Sequence, residues 1–203
     1  MLTTKIGNVL RGLKQSLGTP KMKQQLWDKE YAGGRWDLSK KTPNDRVYHF
    51  ISQNSKKGMI LELGCGSGNT GTELESESYS GYVGLDISEV AVDAAQRRSV
   101  ESGRGSKNQY VQSDILKYVP DKTFQIVLFR DSIYYVPHRA LHETLSRYAR
   151  NMTPEGVFIA SIFSRVGYRK WVETIERDYQ VVDRYLSDTT DEIILVFRTK
   201  GIL

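Results

Sequence analysis

The stretch Met59-Ile60-Leu61-Glu62-Leu63-Gly64-Cys65-Gly66-Ser67-Gly68-Asn69-Thr70-Gly71 decides how this chain is read. An apolar run with one acidic interruption, followed by four glycines within eight residues, predicts a buried strand that turns sharply into a helix. Glycine admits positive φ and carries no Cβ, so the backbone of such a turn approaches a ligand closely, and N–H groups at a helix start attract polar or anionic groups. A carboxylate near the end of a buried strand is costly unless something pairs with it. Glu62 therefore implies a partner, and a ligand ammonium group is suitable.

The glycine pattern alone leaves the ligand open. Gly66-x-Gly68-x-x-Gly71 satisfies the dinucleotide spacing, but in that fingerprint the first glycine follows the strand directly, and here Gly64 does so. The spacing leans away from a nicotinamide enzyme. Tyr82-Val83-Gly84-Leu85-Asp86 reads as a second strand ending in a carboxylate 22 residues after Gly64, where a ribose diol can be gripped by paired hydrogen bonds.

With these residues in place, the sequence resembles the class I S-adenosylmethionine-dependent methyltransferases, in their small-molecule branch. The matching stretches are Glu62 to Gly68, Gly84 to Ser88, Ser113-Asp114-Ile115, and Phe124 to Tyr135, and the likeness runs from about Met59 to Lys200. The resemblance implies an α/β fold: a doubly wound, mostly parallel seven-stranded sheet with an antiparallel C-terminal pair and helices on both faces. It also implies S-adenosyl-L-methionine as cofactor. Glu62 and the backbone of Gly64, Cys65 and Gly66 would serve the methionine moiety, Asp86 the ribose, Ile87 and Ile115 the adenine faces and Asp114 the adenine amino group, with Gly68 also among the cofactor-binding residues. Arg130 would line the same edge, and Trp36 would sit near the methionine end, where a ring face favours a sulfonium cation.

Composition bounds the rest. The 203 residues suit one core of ordinary size, and 39% hydrophobic with 26% charged residues describes a globular chain. A single cysteine, Cys65, forms no internal disulfide and reads as a small residue of the turn; a reducing cytoplasm fits. No apolar stretch has membrane-spanning length, and the first residues lack a signal-peptide core. The net charge of +5 is concentrated at the front, where residues 1–41 hold nine Lys or Arg against three Asp or Glu. Residues 1–41 are accordingly set apart as a basic, aromatic-containing helical arm or lid, and 42–203 as the cofactor-binding domain. The excess charge reads first as a solvated face, or as a means of attracting an anionic substrate or partner.

In chain order, apolar residues at helical spacing predict a helix over residues 4–17, stopped by Gly18-Thr19-Pro20. Thr42-Pro43 starts a helix to about Asn54 that buries Val47, Phe50 and Ile51. A short helix follows near Thr70–Glu75, and Ser88 opens one to about Ser102 that buries Val90, Ala91, Ala94 and Ala95. Further strands fall at residues 109–112, 124–129 and 157–163, and helices after Pro137 and over residues 168–177. Two final strands, residues 179–185 and 192–198, are joined by Ser187-Asp188-Thr189-Thr190 and so form an antiparallel pair.

Methyl transfer needs alignment of donor and acceptor, and a base only if the acceptor must lose a proton before attack. The cluster after the fourth strand supplies His138 as candidate base and Tyr134 and Tyr135 as pocket-shaping groups. His138 and His142 stand four apart, as metal ligands on a helix do, but no third ligand completes them, so no metal is expected. The function expected is methylation of a small-molecule oxygen or nitrogen nucleophile. An RNA substrate or a non-catalytic cofactor-binding adaptor are the alternatives. The missing Asn-Pro-Pro-aromatic motif after the fourth strand makes nucleic acid the less favoured acceptor.

Overall fold

A computed structural model describes residues 18–34, 36 and 45–201. The helix expected over residues 4–17 lies outside the described residues, as do Thr42 and Pro43. The elements in order are α1 (Pro20–Ala32), α2 (Arg46–Asn54), β1 (Met59–Leu63), α3 (Asn69–Glu73), β2 (Gly81–Asp86), α4 (Glu89–Glu101), β3 (Asn108–Gln112), β4 (Phe124–Arg130), α5 (Leu141–Ala149), β5 (Met152–Ile162), α6 (Arg169–Asp178), β6 (Tyr179–Leu186) and β7 (Ile193–Thr199).

The strands form one sheet in the order β3-β2-β1-β4-β5-β7-β6. β1 to β5 run parallel, and β7 pairs antiparallel with both β5 and β6. β1 is flanked by β2 and β4, so four of its five residues are buried, as a strand covered on both faces must be. Side chains alternate between faces. Leu61 and Leu63 join Val127, Phe129, Leu141 and Tyr148 on one side, whereas Ile60 joins Val47, Phe50, Ile51 and Ala95 on the other. Each Leu, Ile, Val or Phe side chain among these contributes about 1.5–3 kcal/mol by leaving water. Glu62 has the parity of Ile60, which directs it toward α2 and α3.

One helix start is added to the expectation and one burial reading is corrected. Gly18-Thr19-Pro20 starts a helix: the Thr19 side chain accepts from Met22 N at 3.3 Å and Pro20 occupies the first turn of α1, the same cap-plus-proline grammar expected at residues 42–43. Val90 lies exposed on α4 beside buried Ala91, because it falls on the helix's outer face. The antiparallel close of the sheet, with no helix between β6 and β7, agrees with expectation.

Candidate active site

The site lies where β1 and β4 are neighbours and their crossovers diverge, at the carboxyl edge of the sheet, which is where open α/β sheets bind ligands. A cavity of about 890 Å³ opens there. Its first wall is the turn after β1, where Gly64, Gly66 and Gly68 adopt φ of 82°, 53° and 77°. A Cβ at Gly66 would stand 2.8 Å from the Tyr31 hydroxyl, so only glycine leaves that passage open.

The turn's N–H groups are used internally. Gly64 N and Cys65 N both donate to Leu85 O, at 2.7 and 2.9 Å, and Gly66 N donates to Asp86 Oδ2 at 2.9 Å. The backbone of Gly64 to Gly66 thus spends these N–H groups within the protein. The turn braces Asp86, whose Oδ1 accepts from Ser88 N at 2.9 Å. Burial raises the Asp86 carboxyl to about 6, against the lowering effect of those backbone donors. Gly68 caps α3 and faces Ala95 and Tyr110, outside the cavity lining.

Glu62 is 2% exposed. Thr70 Oγ1 donates to its Oε1 at 3.0 Å and the Tyr82 hydroxyl to its Oε2. Burial nevertheless raises it to about 7, because two neutral hydroxyls do not replace the water that a carboxylate loses. Arg130 lines the cavity, but its guanidinium is committed to Asp45, to the Tyr48 hydroxyl at 2.9 Å and to Thr70 Oγ1 at 3.2 Å. It holds Thr70 against Glu62, and so acts on the site through its neighbours.

Across the cavity, Ile87, Asp114 and Ile115 line the second wall. Asp114 accepts from Leu116 N at 2.9 Å and turns the chain after β3. The third wall is aromatic. Tyr134 stacks on Tyr168 with centroids 3.9 Å apart, Phe163 stands edge-on to both, and Tyr135 meets Trp27 edge-on at 5.2 Å. Trp36 lines the cavity with its indole N–H on Glu30, at 3.2 Å.

His138 is not part of this cavity. Its Nε2 lies 2.9 Å from Thr174 Oγ1 and its ring meets Trp171 edge-on. After Val136 the chain turns toward α6 and carries the histidine with it, which removes it as a candidate base. His142 likewise pairs with Asp178 and Tyr179, and no metal-binding group of three occurs among the described residues.

Sequence reasoning set residues 1–41 apart as an arm or lid but named only Trp36 of them as a site residue. Lys23, Trp27 and Tyr31, spaced four apart, all line the cavity, and Asp28 accepts from Ser88 Oγ at 2.7 Å. The Thr19-Pro20 start and that spacing were legible signals. Phe163 and Tyr168 lie 29 residues or more from Tyr134 in the chain, and no local signal links them.

Fold and cavity together define a Rossmann-like domain with a cavity at the carboxyl edge of its sheet and an aromatic wall on one side of that cavity. A family model described as a methyltransferase domain matches residues 60–156. Among curated proteins, the chain is 30% identical over 117 residues to the sterol 24-C-methyltransferase ERG6B of Gibberella zeae, covering 56% of this chain and 30% of that protein. It is 25% identical over 128 residues to the ubiquinone biosynthesis O-methyltransferase of Rickettsia conorii, covering 63% and 43%. The chain thus spans less than half the length of these two relatives. Among solved structures, the N-methyltransferase NodS of Bradyrhizobium japonicum in complex with S-adenosyl-L-homocysteine superimposes with a TM-score of 0.68 at 16% identity, covering 88% of this chain and 98% of that one. The methyltransferase-domain match lies within the stretch from β1 to the start of β5, and the likeness to the solved structure shows a shared fold.

Proposed function

We propose that this chain transfers the methyl group of S-adenosylmethionine to a small-molecule acceptor, by in-line displacement, inside the cavity at the carboxyl edge of its sheet. The observation that carries the reading is the facing of two braced, buried carboxylates, Glu62 and Asp86, into one cavity with Ile87, Asp114 and Ile115 beyond them. Such a set matches a ligand with an ammonium group, a diol and a planar heterocycle at its successive parts. When bound, the cofactor supplies a methyl group already activated by a sulfonium charge.

The residues of the chain bind, orient and exclude water. Glu62 in its ionised form pairs with the ammonium group, and Asp86 accepts from ribose hydroxyls while the turn holds it still. Ile87 and Ile115 offer apolar faces to the heterocycle, and Asp114 its amino-group acceptor. Tyr31, Trp27 and Trp36 close the cavity over the reacting end, where alignment of the two reactants contributes several kcal/mol to the rate. A cavity walled on three sides and roofed by α1 favours a small acceptor over a nucleic acid strand. The single Cys65 suits a cytoplasmic setting.

Isothermal titration with S-adenosylmethionine, S-adenosylhomocysteine and NAD tests the cofactor assignment, with binding expected for the first two alone. Transfer of label from methyl-labelled donor into metabolite and RNA pools then tests the acceptor class. Tight NAD binding, or label found only in RNA, overturns the corresponding half of the reading.

A further inference from the structure

The acceptor end of the cavity has a chemical character of its own. Asp131 directly follows β4 and lines the cavity. It holds the left-handed conformation at φ 52°, an uncommon state for a residue other than glycine, though one that Asp and Asn tolerate. Its Oδ1 accepts from Phe163 N at 2.9 Å, which ties the end of β4 to the end of β5. Its Oδ2 meets no protein donor among the described residues. Beside it stand Tyr134, Tyr168 and Phe163, the packed aromatic trio of the third wall.

The charges of the cavity lean one way. Its described lining holds four carboxylates, Glu62, Asp86, Asp114 and Asp131, against two cations, Lys23 and Arg130, and Arg130 is paired with Asp45. Of the four, Glu62 and Asp86 belong to the cofactor end and Asp114 to the heterocycle wall, leaving Asp131 as the carboxylate of the acceptor end. Aromatic faces beside a carboxylate attract cations through the ring quadrupole and a charge-assisted hydrogen bond together.

Among the described residues the acceptor end also holds no base suited to an alcohol. Burial, then the nearby Asp131, push the Tyr134 hydroxyl up from its ordinary value, Ser132 donates to Leu63 O, and His138 lies elsewhere. An amine needs no such base, because its neutral nitrogen is nucleophilic.

From these observations, and resting on the methyltransferase reading above, we propose that the acceptor is an amine carrying an apolar or aromatic body, its nitrogen held by Asp131 Oδ2 and its body by the Tyr134, Tyr168 and Phe163 wall. The amine binds as its ammonium ion and reacts as the neutral form, the first proton leaving to Asp131 or to water. The nitrogen lone pair then forms the new N–C bond, and the methyl–sulfur bond breaks with its electron pair remaining on sulfur as the neutral thioether. The excess proton on the product nitrogen leaves by the same route.

The test uses phenethylamine, 2-phenylethanol and 3-phenylpropanoate as probes, titrated into the full chain with and without saturating S-adenosylhomocysteine. The amine is expected to bind at least about tenfold more tightly than the alcohol, as a hydrogen bond to a charged group requires, with the carboxylate weakest. Asp131→Asn keeps an acceptor for Phe163 N and a residue type suited to φ 52°, so it preserves the local backbone. That variant should reduce the amine preference to within about twofold while S-adenosylhomocysteine affinity stays unchanged. Equal binding of alcohol and amine, survival of the preference in Asp131→Asn, or no amine binding up to about 10 mM overturns the proposal. Failure of S-adenosylhomocysteine itself to bind would refute the cofactor reading instead, and the titrations without it still judge Asp131.

Discussion

Replacing Glu62 with glutamine should make the ligand-free protein more stable at pH 8 while making it a worse cofactor binder. The folded protein raises this carboxyl from its ordinary 4.5 to about 7, chiefly through burial, so between those values the folded state holds a proton that the unfolded chain has released. Stability therefore falls as pH rises through that window, by about 3 kcal/mol in total from this one group. A neutral amide removes that pH-dependent loss, and its hydrogen bonds survive, because the Thr70 and Tyr82 hydroxyls can each rotate to donate or accept. Urea unfolding of both proteins at pH 5, 6, 7 and 8, without ligand, gives the two stability profiles. The wild-type profile should descend toward pH 8, sloped further by Asp86, and the Glu62→Gln profile should be flatter by about 3 kcal/mol across the range. Calorimetry supplies the functional half. Pairing with an ammonium group needs the ionised carboxylate, so wild-type cofactor binding near pH 6 should release a proton and weaken as pH falls, and the variant should do neither. Parallel stability profiles, or a variant binding S-adenosylmethionine as tightly as wild type at pH 8, would refute this account of Glu62.

Three other substitutions separate the roles of the remaining residues. Asp86→Asn keeps an acceptor for only one of Gly66 N and Ser88 N and loses the charge offered to the ribose; cofactor binding should weaken by about 1.5–3 kcal/mol, and an unchanged dissociation constant would remove Asp86 from the site. His138→Ala should leave kcat within about twofold, whereas loss of a true general base costs about a hundredfold or more; a drop of that size, with loss of a histidine limb in the pH–rate profile, would return His138 to the chemistry. Gly68→Ala would place a Cβ 2.8 Å from that of Ala95 at φ 77°, so unfolding free energy should fall by about 1–3 kcal/mol, and equal stability in urea would show that the turn relaxes freely.

Local chemistry in the chain was enough to place β1, its glycine turn, the Asp86 strand end and the antiparallel close. Each rests on short-range causes: an apolar run of strand length, glycines where φ must be positive, and two apolar runs with no helix between them. The same local grammar was read only in part at Gly18-Thr19-Pro20, where the cap and proline that open α1 were not used to predict a helix start. Contacts between distant segments decided the rest. Tyr134 on Tyr168, Asp131 on Phe163 N, Asp28 on Ser88 and Arg130 on Asp45 join residues 30 or more apart, and a side chain's partner across such a distance is set by the packing of whole elements, to which periodicity and propensity are blind. His138 shows the difference most plainly. Its residue type and its place after β4 recommended it as a base, but the direction in which the chain leaves Val136 is fixed by the packing of that segment against α6, and it takes the imidazole out of the cavity.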